Sequence, residues 1–552
     1  MKLFDLIVIG GGCNGTGIAR DAAMRGLRVL LLEKNDFSAG TTGASSGMIH
    51  GGPRYLQYEI GTTKLACQDA NYIRHIAPYL CFRIPFLVPV LQEGDPNWFA
   101  KFRMELVETF MEAYDHFSPI KGGKRHTRLS KEETQGLEPC LVDDIIGGIT
   151  FDEWGIDTAR LCAVNALAVK ESGGIVKNHT QVKSILVEAE TDGRRRVVGV
   201  LAQDLVTGQE TEYRCKILFN ATGPWAPKLC AMAGASLRLR PGKGIHLILD
   251  RRITNVAVVS KCIDGRQIFI NPHENTTLLG TTDDDYYGDL DDIPVTEDEV
   301  EYLLEGMERS YPDIRKARII STWRGVRPTL WGADVYEDEL SREHEVVDHE
   351  VKDRLLGMLS MAGGKLASFR VMAEEAVTLI CQKLNIKAAC RTHIVPLPGG
   401  ESVPKAQGLA SEFTIHPYVA QRLISRHGNL SRDVLKRTRE KPGEKAIVCT
   451  NEPVIEAEIR YAIREEWTVT LPDLLRRTRL AMGSCQGSEC LVPAAQILSE
   501  ERNLTGTEKV EELKNHLEWA WKARKSILSG AQVVQEELMQ EIFQGVLDMG
   551  NL

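Results

Sequence analysis

The sequence has no long apolar run, which excludes a membrane-spanning helix, since such a helix needs about 20 consecutive apolar residues. Its most apolar stretch, residues 86–91, lies among Arg83, Pro85 and Pro89. The first residues lack the order of basic, apolar and small-residue segments that marks a secretory leader. We expect a cytoplasmic protein whose membrane contact, if any, is peripheral and at the inner face of the cell membrane.

Blocks of like charge and internal repeats are also missing. The chain carries 67 Lys and Arg against 76 Asp and Glu, so its net charge of -9 argues against nucleic acid as a partner. Its thirteen cysteines follow no disulfide framework, which favours reduced thiols. With 552 residues, 43% of them hydrophobic, the chain can build two or three cores.

The N-terminus has the pattern of a βαβ unit. Residues 3–9 predict a buried strand, residues 10–15 a tight turn, residues 16–26 a helix and residues 27–32 a second strand. Gly10, Gly12 and Gly15 form a G-x-G-x-x-G turn, and Glu33 ends the second strand. This context predicts dinucleotide binding, with phosphate at the helix N-terminus and ribose at the carboxylate. The alternative is a glycine turn without a ligand.

Later segments suggest a second, interleaved unit. Residues 80–150 look irregular and aromatic-rich, whereas residues 175–187, 195–205, 217–225 and 355–361 have strand patterns. We predict an α/β fold over residues 1–398, with substrate-binding segments inserted at about 81–155 and 236–350. Beyond a Pro/Gly-rich boundary, residues 399–552 predict a mostly helical domain.

Several blocks carry a family resemblance. Residues 220–225, Asn-Ala-Thr-Gly-Pro-Trp, resemble FAD-dependent oxidoreductases. Residues 44–56 resemble the flavin-facing segment of FAD-dependent glycerol-3-phosphate dehydrogenases. Further matching blocks follow in that family's order over about the first 400 residues, namely residues 157–161, 279–283, 325–328 and 363–366.

The resemblance implies FAD as cofactor and a Rossmann-like domain of the D-amino-acid-oxidase type with an inserted α+β substrate domain. It implies oxidation of sn-glycerol 3-phosphate to dihydroxyacetone phosphate, with electrons passed to quinone directly or through partner subunits. We expect a homo-oligomer or such a complex. Three alternatives are an oxidase that uses O₂, a non-catalytic flavin-binding redox scaffold and, more distantly, an amino-acid or hydroxyacid oxidase of the same flavoprotein class.

Candidate site residues follow from the turn and from the resemblance. The cofactor-binding candidates are Gly10, Gly12, Gly15, Glu33, Ser45, Ser46, His50, Gly223 and Gly364. The substrate-binding candidates are Arg54, Tyr55, Arg327 and Lys365. A phosphate dianion favours arginine because the guanidinium fork matches its oxygens, although a single arginine is otherwise often a surface or ion-paired side chain.

The catalytic candidates are His246, His50, Arg327 and Lys365. Oxidation of a secondary alcohol needs a base, and histidine has the pKa closest to neutrality. His246 resembles the family segment that lines the substrate site, whereas His50 resembles a flavin-positioning group. Each is otherwise a structural histidine. Lys365 would stabilise negative charge on reduced flavin.

The C-terminal region resembles the large subunit of the anaerobic, multi-subunit type, which carries two cysteine pairs. Cys485 and Cys490 match the second pair, but the first reads Cys449-Thr450-Asn451, so one thiolate is missing. An intact [2Fe–2S] centre needs four ligands. Two alternatives follow: Cys449, Cys485 and Cys490 bind a labile cluster together with the asparagine, or the domain holds no metal, which we favour.

One helical segment has an apolar stripe. Trp98, Phe99, Phe102, Leu106 and Phe110 recur at helical spacing. This stripe indicates either a core or subunit face, which we favour because acidic residues lie alongside, or an amphipathic face on a bilayer.

Overall fold

A computed structural model describes residues 3–53, 56, 60–332, 343–547 and 549 of the chain. Arg54 and Tyr55, two predicted substrate-binding residues, lie outside this part. No helix in the described ranges combines the length and the apolar character that crossing a bilayer requires.

The first sheet has nine strands within the described residues. Its parallel centre has the order β18-β9-β1-β2-β6, β16 extends it antiparallel to β18, and β7, β8 and β17 branch from β9. The strands, numbered in chain order, are β1 (Leu3–Ile9), β2 (Val29–Leu32), β6 (Ile175–Lys177), β7 (Thr180–Ala189), β8 (Arg195–Asp204), β9 (Glu210–Asn220), β16 (His344–Asp348), β17 (Leu355–Leu356) and β18 (Met358–Gly363).

The second sheet also has nine strands in the described ranges. Its order is β14-β10-β13-β12-β11-β3-β5-β4, and β15 pairs antiparallel with β10. The strands are β3 (Cys81–Leu91), β4 (Thr127–Ser130), β5 (Ile145–Ile156), β10 (Leu239–Leu249), β11 (Ala257–Lys261), β12 (Gln267–His273), β13 (Thr276–Gly280), β14 (Asp284–Asp285) and β15 (Ile319–Leu330).

Helices cover the two sheets and build the C-terminal region. Helices α1, α6 and α10 pack together on one face of the first sheet, over one apolar core. The N-terminal helices are α1 (Cys13–Met24), α2 (Ile60–Ile76), α3 (Asn97–Tyr114), α4 (Ser118–Lys121), α5 (Lys131–Leu137), α6 (Thr158–Glu171), α7 (Ala226–Met232), α8 (Glu297–Glu308), α9 (His349–Asp353) and α10 (Phe369–Lys383). The C-terminal elements are α11 (Ala406–Phe413), α12 (Pro417–His427), α13 (Ser431–Lys436), β19 (Ile447–Cys449), β20 (Val454–Ile455), α14 (Glu456–Glu465), α15 (Leu471–Thr478), α16 (Leu491–Arg502), α17 (Gly506–Lys522) and α18 (Ala531–Gln540).

The C-terminal helices are joined to the first sheet and its helices by buried ion pairs. Arg160 on α6 pairs with Glu466 at 2.5 Å, and Arg477 on α15 pairs with Asp36 at 2.6 Å. All four side chains are fully buried. Removing one partner of such a pair leaves an uncompensated buried charge, which is strongly destabilising. These pairs fix the C-terminal helices against the N-terminal part of the chain.

The predicted α/β fold class with a helical C-terminal region is confirmed, but two local predictions were wrong. The segment 80–150 is regular, because it contains β3, α3 and the first half of β5. The first helix begins at Cys13 rather than at residue 16, because the turn is completed by Gly12. The domain limits that we placed in the sequence stay predictions.

Candidate active site

A cavity of about 1720 Å³ opens at the carboxyl ends of β1, β2 and β9. Its wall includes the glycine turn after β1, the segment from Glu33 to Gly47, the end of β9 and the start of β15. In open parallel sheets, ligands bind outside the carboxyl ends of the strands. The cavity therefore lies where the fold positions a dinucleotide.

The glycine turn fits closely against neighbouring backbone. Gly10 has φ +115°, and a Cβ there would lie 2.5 Å from the Ala221 carbonyl oxygen. A Cβ on Gly15 would lie 1.9 Å from the carbonyl oxygen of Gly10. Gly12 caps α1 with φ -75°, and its Cβ would point at Thr42 Oγ1, 3.0 Å away. Gly10 and Gly15 build the turn, whereas Gly12 keeps the space before the helix N-terminus open.

Glu33 closes the second side of the nucleotide site. Its Oε2 accepts from the Gly11 N–H at 2.6 Å and its Oε1 from the Asn35 N–H at 2.8 Å. Burial raises the pKa of this carboxyl group. The two backbone contacts hold the carboxylate at the end of β2, in the place where ribose hydroxyls meet an acidic residue in this fold.

These features fit FAD, which the fold implies as cofactor. The turn leaves room for a pyrophosphate beside the N–H groups of α1, which is a ready anion site. Gly223, Gly364, Ser45 and Ser46 all line the same cavity. Ser45 has a local structural contact as well, since its hydroxyl donates to Thr42 O at 2.8 Å.

Beyond the nucleotide end, β10 and β15 present one shared face. His246 lies opposite Trp323, Gly244 opposite Gly325, and Gly242 opposite Arg327. Alternate residues of a strand face the same side, so His246 and Arg327 stand on one surface with glycines between them. A Cβ on Gly325 would lie 2.7 Å from Ala44 Cβ, so the segment 44–46 packs against this surface. We call the surface formed by Gly242, Gly244 and Gly325 the glycine floor.

His246 is buried at one end of the floor. Its Nε2 lies 2.8 Å from Ser46 Oγ, and its ring packs edge-on against Trp323 at 6.4 Å between centroids. Its Nδ1 has no hydrogen-bond partner among the described residues. Burial, together with the charge of Arg327, lowers the pKa of His246 to about 3. The imidazole is therefore neutral at physiological pH.

Arg327 occupies the other end of the floor. Its Nη1 donates to Asp283 Oδ1 at 2.7 Å, and its Nη2 donates to Thr282 O at 3.2 Å and Thr281 Oγ1 at 3.3 Å. A Cβ on Gly244 would lie 2.5 Å from Nη2, so the guanidinium reaches back over the floor toward His246. These contacts hold its planar fork in one orientation.

His50 and Lys365 lie apart from this pair. His50 follows Ile49, whose N–H donates to Trp154 O at 2.9 Å, and precedes Gly51, which sits against Cys67 and Tyr114. Lys365 follows Gly364 and lies close to the same thiol. Burial raises the pKa of Cys67 to about 12, and the charge of Lys365 acts in the opposite direction. Both candidates therefore border the α2–α3 side of the site.

Several side-chain contacts in the site were not predicted from the sequence. Ser46 was predicted as a flavin contact, yet its hydroxyl pairs with His246 from 200 positions away. Asp283 and Thr281 orient Arg327, and Trp323 packs on His246. The one usable signal was the recurrence of glycine at positions 242, 244 and 325, because glycine within strands marks close approach of another group.

The C-terminal cysteines do come together. Asn451 Nδ2 lies 3.4 Å from Cys485 Sγ, and a hydrogen bond from Cys490 lowers the pKa of Cys449 to about 6. Three thiols and an amide that donates to one of them do not provide the four ligands of an intact [2Fe–2S] centre. This donor set does not fit the cluster. All thirteen cysteines are free thiols.

Comparison with protein families agrees with this architecture. Residues 5–368 match the FAD-dependent oxidoreductase family, and residues 390–509 match the C-terminal domain of alpha-glycerophosphate oxidase. The first match covers more than half of the chain. Together with the nucleotide site, it defines a FAD-dependent oxidoreductase and confirms FAD as the cofactor.

Comparison with individual proteins identifies the family within this class of oxidoreductases. The chain is 31% identical to one subunit of the anaerobic glycerol-3-phosphate dehydrogenase of Escherichia coli K12, over 98% of this chain and 96% of that protein. It is 32% identical to an anaerobic glycerol-3-phosphate dehydrogenase subunit of Haloferax volcanii, over 97% and 89%. The structure of glycerol-3-phosphate dehydrogenase from Bacillus halodurans with FAD aligns at a TM-score of 0.75 and 25% identity, over 96% and 97%. The chain belongs to the FAD-dependent glycerol-3-phosphate dehydrogenase family.

Proposed function

We propose that this chain oxidises sn-glycerol 3-phosphate to dihydroxyacetone phosphate. The observation that carries the proposal is the glycine floor, with a neutral imidazole at one end and an oriented guanidinium at the other. Positions 244 and 246 are about 7 Å apart along the strand, since each residue adds about 3.4 Å. The guanidinium lies against Gly244, two positions from His246 on the same strand, and its charge acts on the imidazole. The named relatives support the same substrate.

Arg327, Ser46 and His246 have different roles in the proposed reaction. Arg327 would hold the phosphate, and its hydrogen bond to Asp283 fixes the orientation of the guanidinium. The glycine turn and Glu33 would hold FAD, which would supply the hydride acceptor for this oxidation. The hydroxyl proton leaves the substrate oxygen for the Ser46–His246 pair as the C=O bond forms. Loss of one hydride and one proton balances the oxidation of alcohol to ketone.

Anaerobic mixing with glycerol 3-phosphate tests this proposal directly. We expect rapid loss of the oxidised-flavin absorbance and formation of one dihydroxyacetone phosphate per flavin. Subsequent addition of a soluble quinone or of O₂ then distinguishes a dehydrogenase from an oxidase. A flavin that stays oxidised with this substrate would refute the proposed function.

Replacement of Arg327 by alanine should affect the phosphate ester far more than glycerol. A charge-assisted hydrogen bond to an anion is worth about 1.5–3 kcal/mol. At about 1.4 kcal/mol per decade, kcat/KM for glycerol 3-phosphate should fall roughly tenfold to a few hundredfold. Turnover of glycerol, which has no phosphate, should hardly change. The measurement is the ratio of the two kcat/KM values in FAD-loaded protein.

Arg327→Lys is the matched control, since it keeps the charge and loses the fork. We expect an intermediate loss with the lysine variant. Equal losses for both substrates in Arg327→Ala, with FAD bound, would show that Arg327 does not anchor the phosphate.

The electron acceptor is proposed to be a quinone that the protein reaches at a membrane surface. The stripe on α3 is not core, because Trp98, Phe102 and Leu106 are 70%, 57% and 61% exposed. Arg128 pairs with both Glu105 and Glu108, at 2.7 and 2.6 Å, which reduces repulsion from anionic lipid. An apolar patch on a helix with a polar opposite face suits the interfacial region of a bilayer.

Replacing Trp98, Phe102 and Leu106 together by serine should abolish binding to phosphatidylcholine–phosphatidylglycerol vesicles. Burial of each side chain contributes about 1 kcal/mol or more, so three together amount to roughly a hundredfold in partition. The control replaces Val351 and Val534, which are 83% and 64% exposed elsewhere, by serine. Flotation measures binding. Equal flotation of both variants, or no flotation of the unmodified protein, would contradict a membrane face.

A further inference from the structure

Three metal-binding side chains meet outside the cavity. Glu374 on α10 lies beside Cys390 and His393, which follow in the connection between α10 and α11. One donor atom from each residue lies within 4.8 Å of the other two. This is the one such group of three that the described residues contain. None of the three residues has a part in the proposed oxidation.

From this cluster we propose a structural zinc site made of Glu374, Cys390 and His393, with water as the fourth ligand. A thiolate, an imidazole and a carboxylate are the three side-chain ligands that zinc takes in proteins. Calcium and magnesium prefer oxygen ligands throughout, so the cysteine and the histidine select against them. The cysteine and the histidine are spaced Cys-x2-His, which lets both side chains point to one centre from a single turn.

The geometry requires only small movements. Zinc bonds of about 2.0–2.3 Å in a tetrahedron hold the ligand atoms about 3.3–3.8 Å apart. From separations of up to 4.8 Å, the donors need to approach one another by at most about 1.5 Å. The turn that carries the cysteine and histidine is fixed, because Val395 N–H donates to Arg391 O at 3.0 Å and Arg20 Nη2 donates to Val395 O at 2.7 Å.

The charged groups around the three ligands are compatible with a bound zinc ion. Glu374 uses one oxygen to accept from Arg370 Nη1 at 2.7 Å, which leaves the second oxygen as the donor to zinc. Arg370 in turn pairs with the buried Asp69 at 2.5 Å, so its charge is largely compensated. Zinc binding replaces the Cys390 S–H proton, which leaves to solvent. The Zn²⁺, one thiolate and one carboxylate then sum to zero charge.

The bound zinc would link α10, the last helix before the C-terminal region, to the connection between α10 and α11. Glu374 belongs to α10, which packs on α1 behind the glycine turn. Cys390 and His393 belong to the connection whose next residues pair with α2 through Leu397 N–H and Ile76 O at 2.8 Å. A metal bound only by the folded state stabilises that state by mass action. We therefore expect zinc to raise the melting temperature of the FAD-loaded protein.

Cobalt titration of chelator-treated, FAD-loaded protein tests the site. We expect one equivalent of Co²⁺ to give thiolate–cobalt ligand-field bands in the red, where flavin does not absorb. Cys390→Ser and His393→Ala should abolish these bands and the zinc-dependent rise in melting temperature. Cys140→Ser, at an exposed cysteine elsewhere, is the matched control and should change neither. Retained flavin absorbance confirms that each variant is folded.

The three C-terminal cysteines are the alternative place for a soft metal, so Cys485→Ser separates the two. We expect it to keep the cobalt bands. Bands that survive Cys390→Ser but disappear in Cys485→Ser would overturn the proposal, as would the lack of any cobalt spectrum in the unmodified protein.

Discussion

Replacement of Gly12 by valine is expected to give a folded protein that no longer retains FAD. Gly12 has φ -75° and ψ -178°, a conformation open to any residue, so the backbone accepts the change. The new side chain would occupy the space before the N-terminus of α1 and press on Thr42 Oγ1, which accepts from Cys13 N–H at 3.2 Å. Overpacking costs about 1–3 kcal/mol, and a lost phosphate hydrogen bond about 1.5–3 kcal/mol more.

Together these losses correspond to a decrease in FAD affinity of roughly a hundredfold or more. The measurement is the flavin-to-protein ratio after gel filtration, with circular dichroism as the test of folding. Gly408→Val is the control, because Gly408 lies in α11 with open space around its Cβ position. Full flavin occupancy in Gly12→Val would exclude a pyrophosphate at this position. Variants at Gly10 or Gly15 would not separate loss of FAD from loss of folding, because a Cβ at either position would overlap a backbone oxygen.

The nucleotide unit was predictable because its determinants are local. Strand β1 is buried except at its first residue. It is followed by Gly10, whose positive φ is readily adopted by glycine and is needed for the tight turn. Glu33 follows the short apolar strand β2. These signals lie within about 30 residues of one another, so no distant contact was needed to read them.

The second sheet was not predictable in the same way. β3 contains Pro85 and Pro89, which lower its strand signal and made the segment look irregular. The structure pairs it along its length with β5, and with β11 at Phe86 and Leu87. Such pairings join residues far apart in sequence. They are set by burial of the opposite faces rather than by local propensity.

The candidate site shows the same division. Gly10 and Gly12 of the glycine turn lie close together in sequence, and both line the cavity. His246 and Arg327 meet only through the β10–β15 pairing, and Ser46 reaches His246 from a separate segment. Sequence reasoning named these residues by resemblance, but their contacts depend on strand register. Their roles stay proposals until the variants are measured.

Replacement of His246 by glutamine is expected to give the largest loss of turnover with FAD still bound. A positioned general base contributes about 10²–10⁴-fold, so kcat should fall by that range. Because the pKa of His246 is lowered to about 3, its imidazole stays neutral from pH 5 to pH 8. The unmodified enzyme should therefore show no acid limb near the ordinary histidine pKa of about 6.5 in kcat/KM. The measurement is anaerobic flavin reduction across pH.

His50→Gln and Ser46→Ala separate the possible proton routes. If His246 is the base, His50→Gln should retain most of kcat, whereas a large loss there and none in His246→Gln would move the base to His50. Ser46 lines the cavity and lies between it and His246 Nε2, so we expect the proton to pass through the Ser46 hydroxyl. Ser46→Ala should then lower kcat by less than His246→Gln, because water can replace a hydroxyl but not the neutral imidazole behind it. Unchanged flavin reduction in Ser46→Ala would instead mean that the substrate hydroxyl contacts His246 directly.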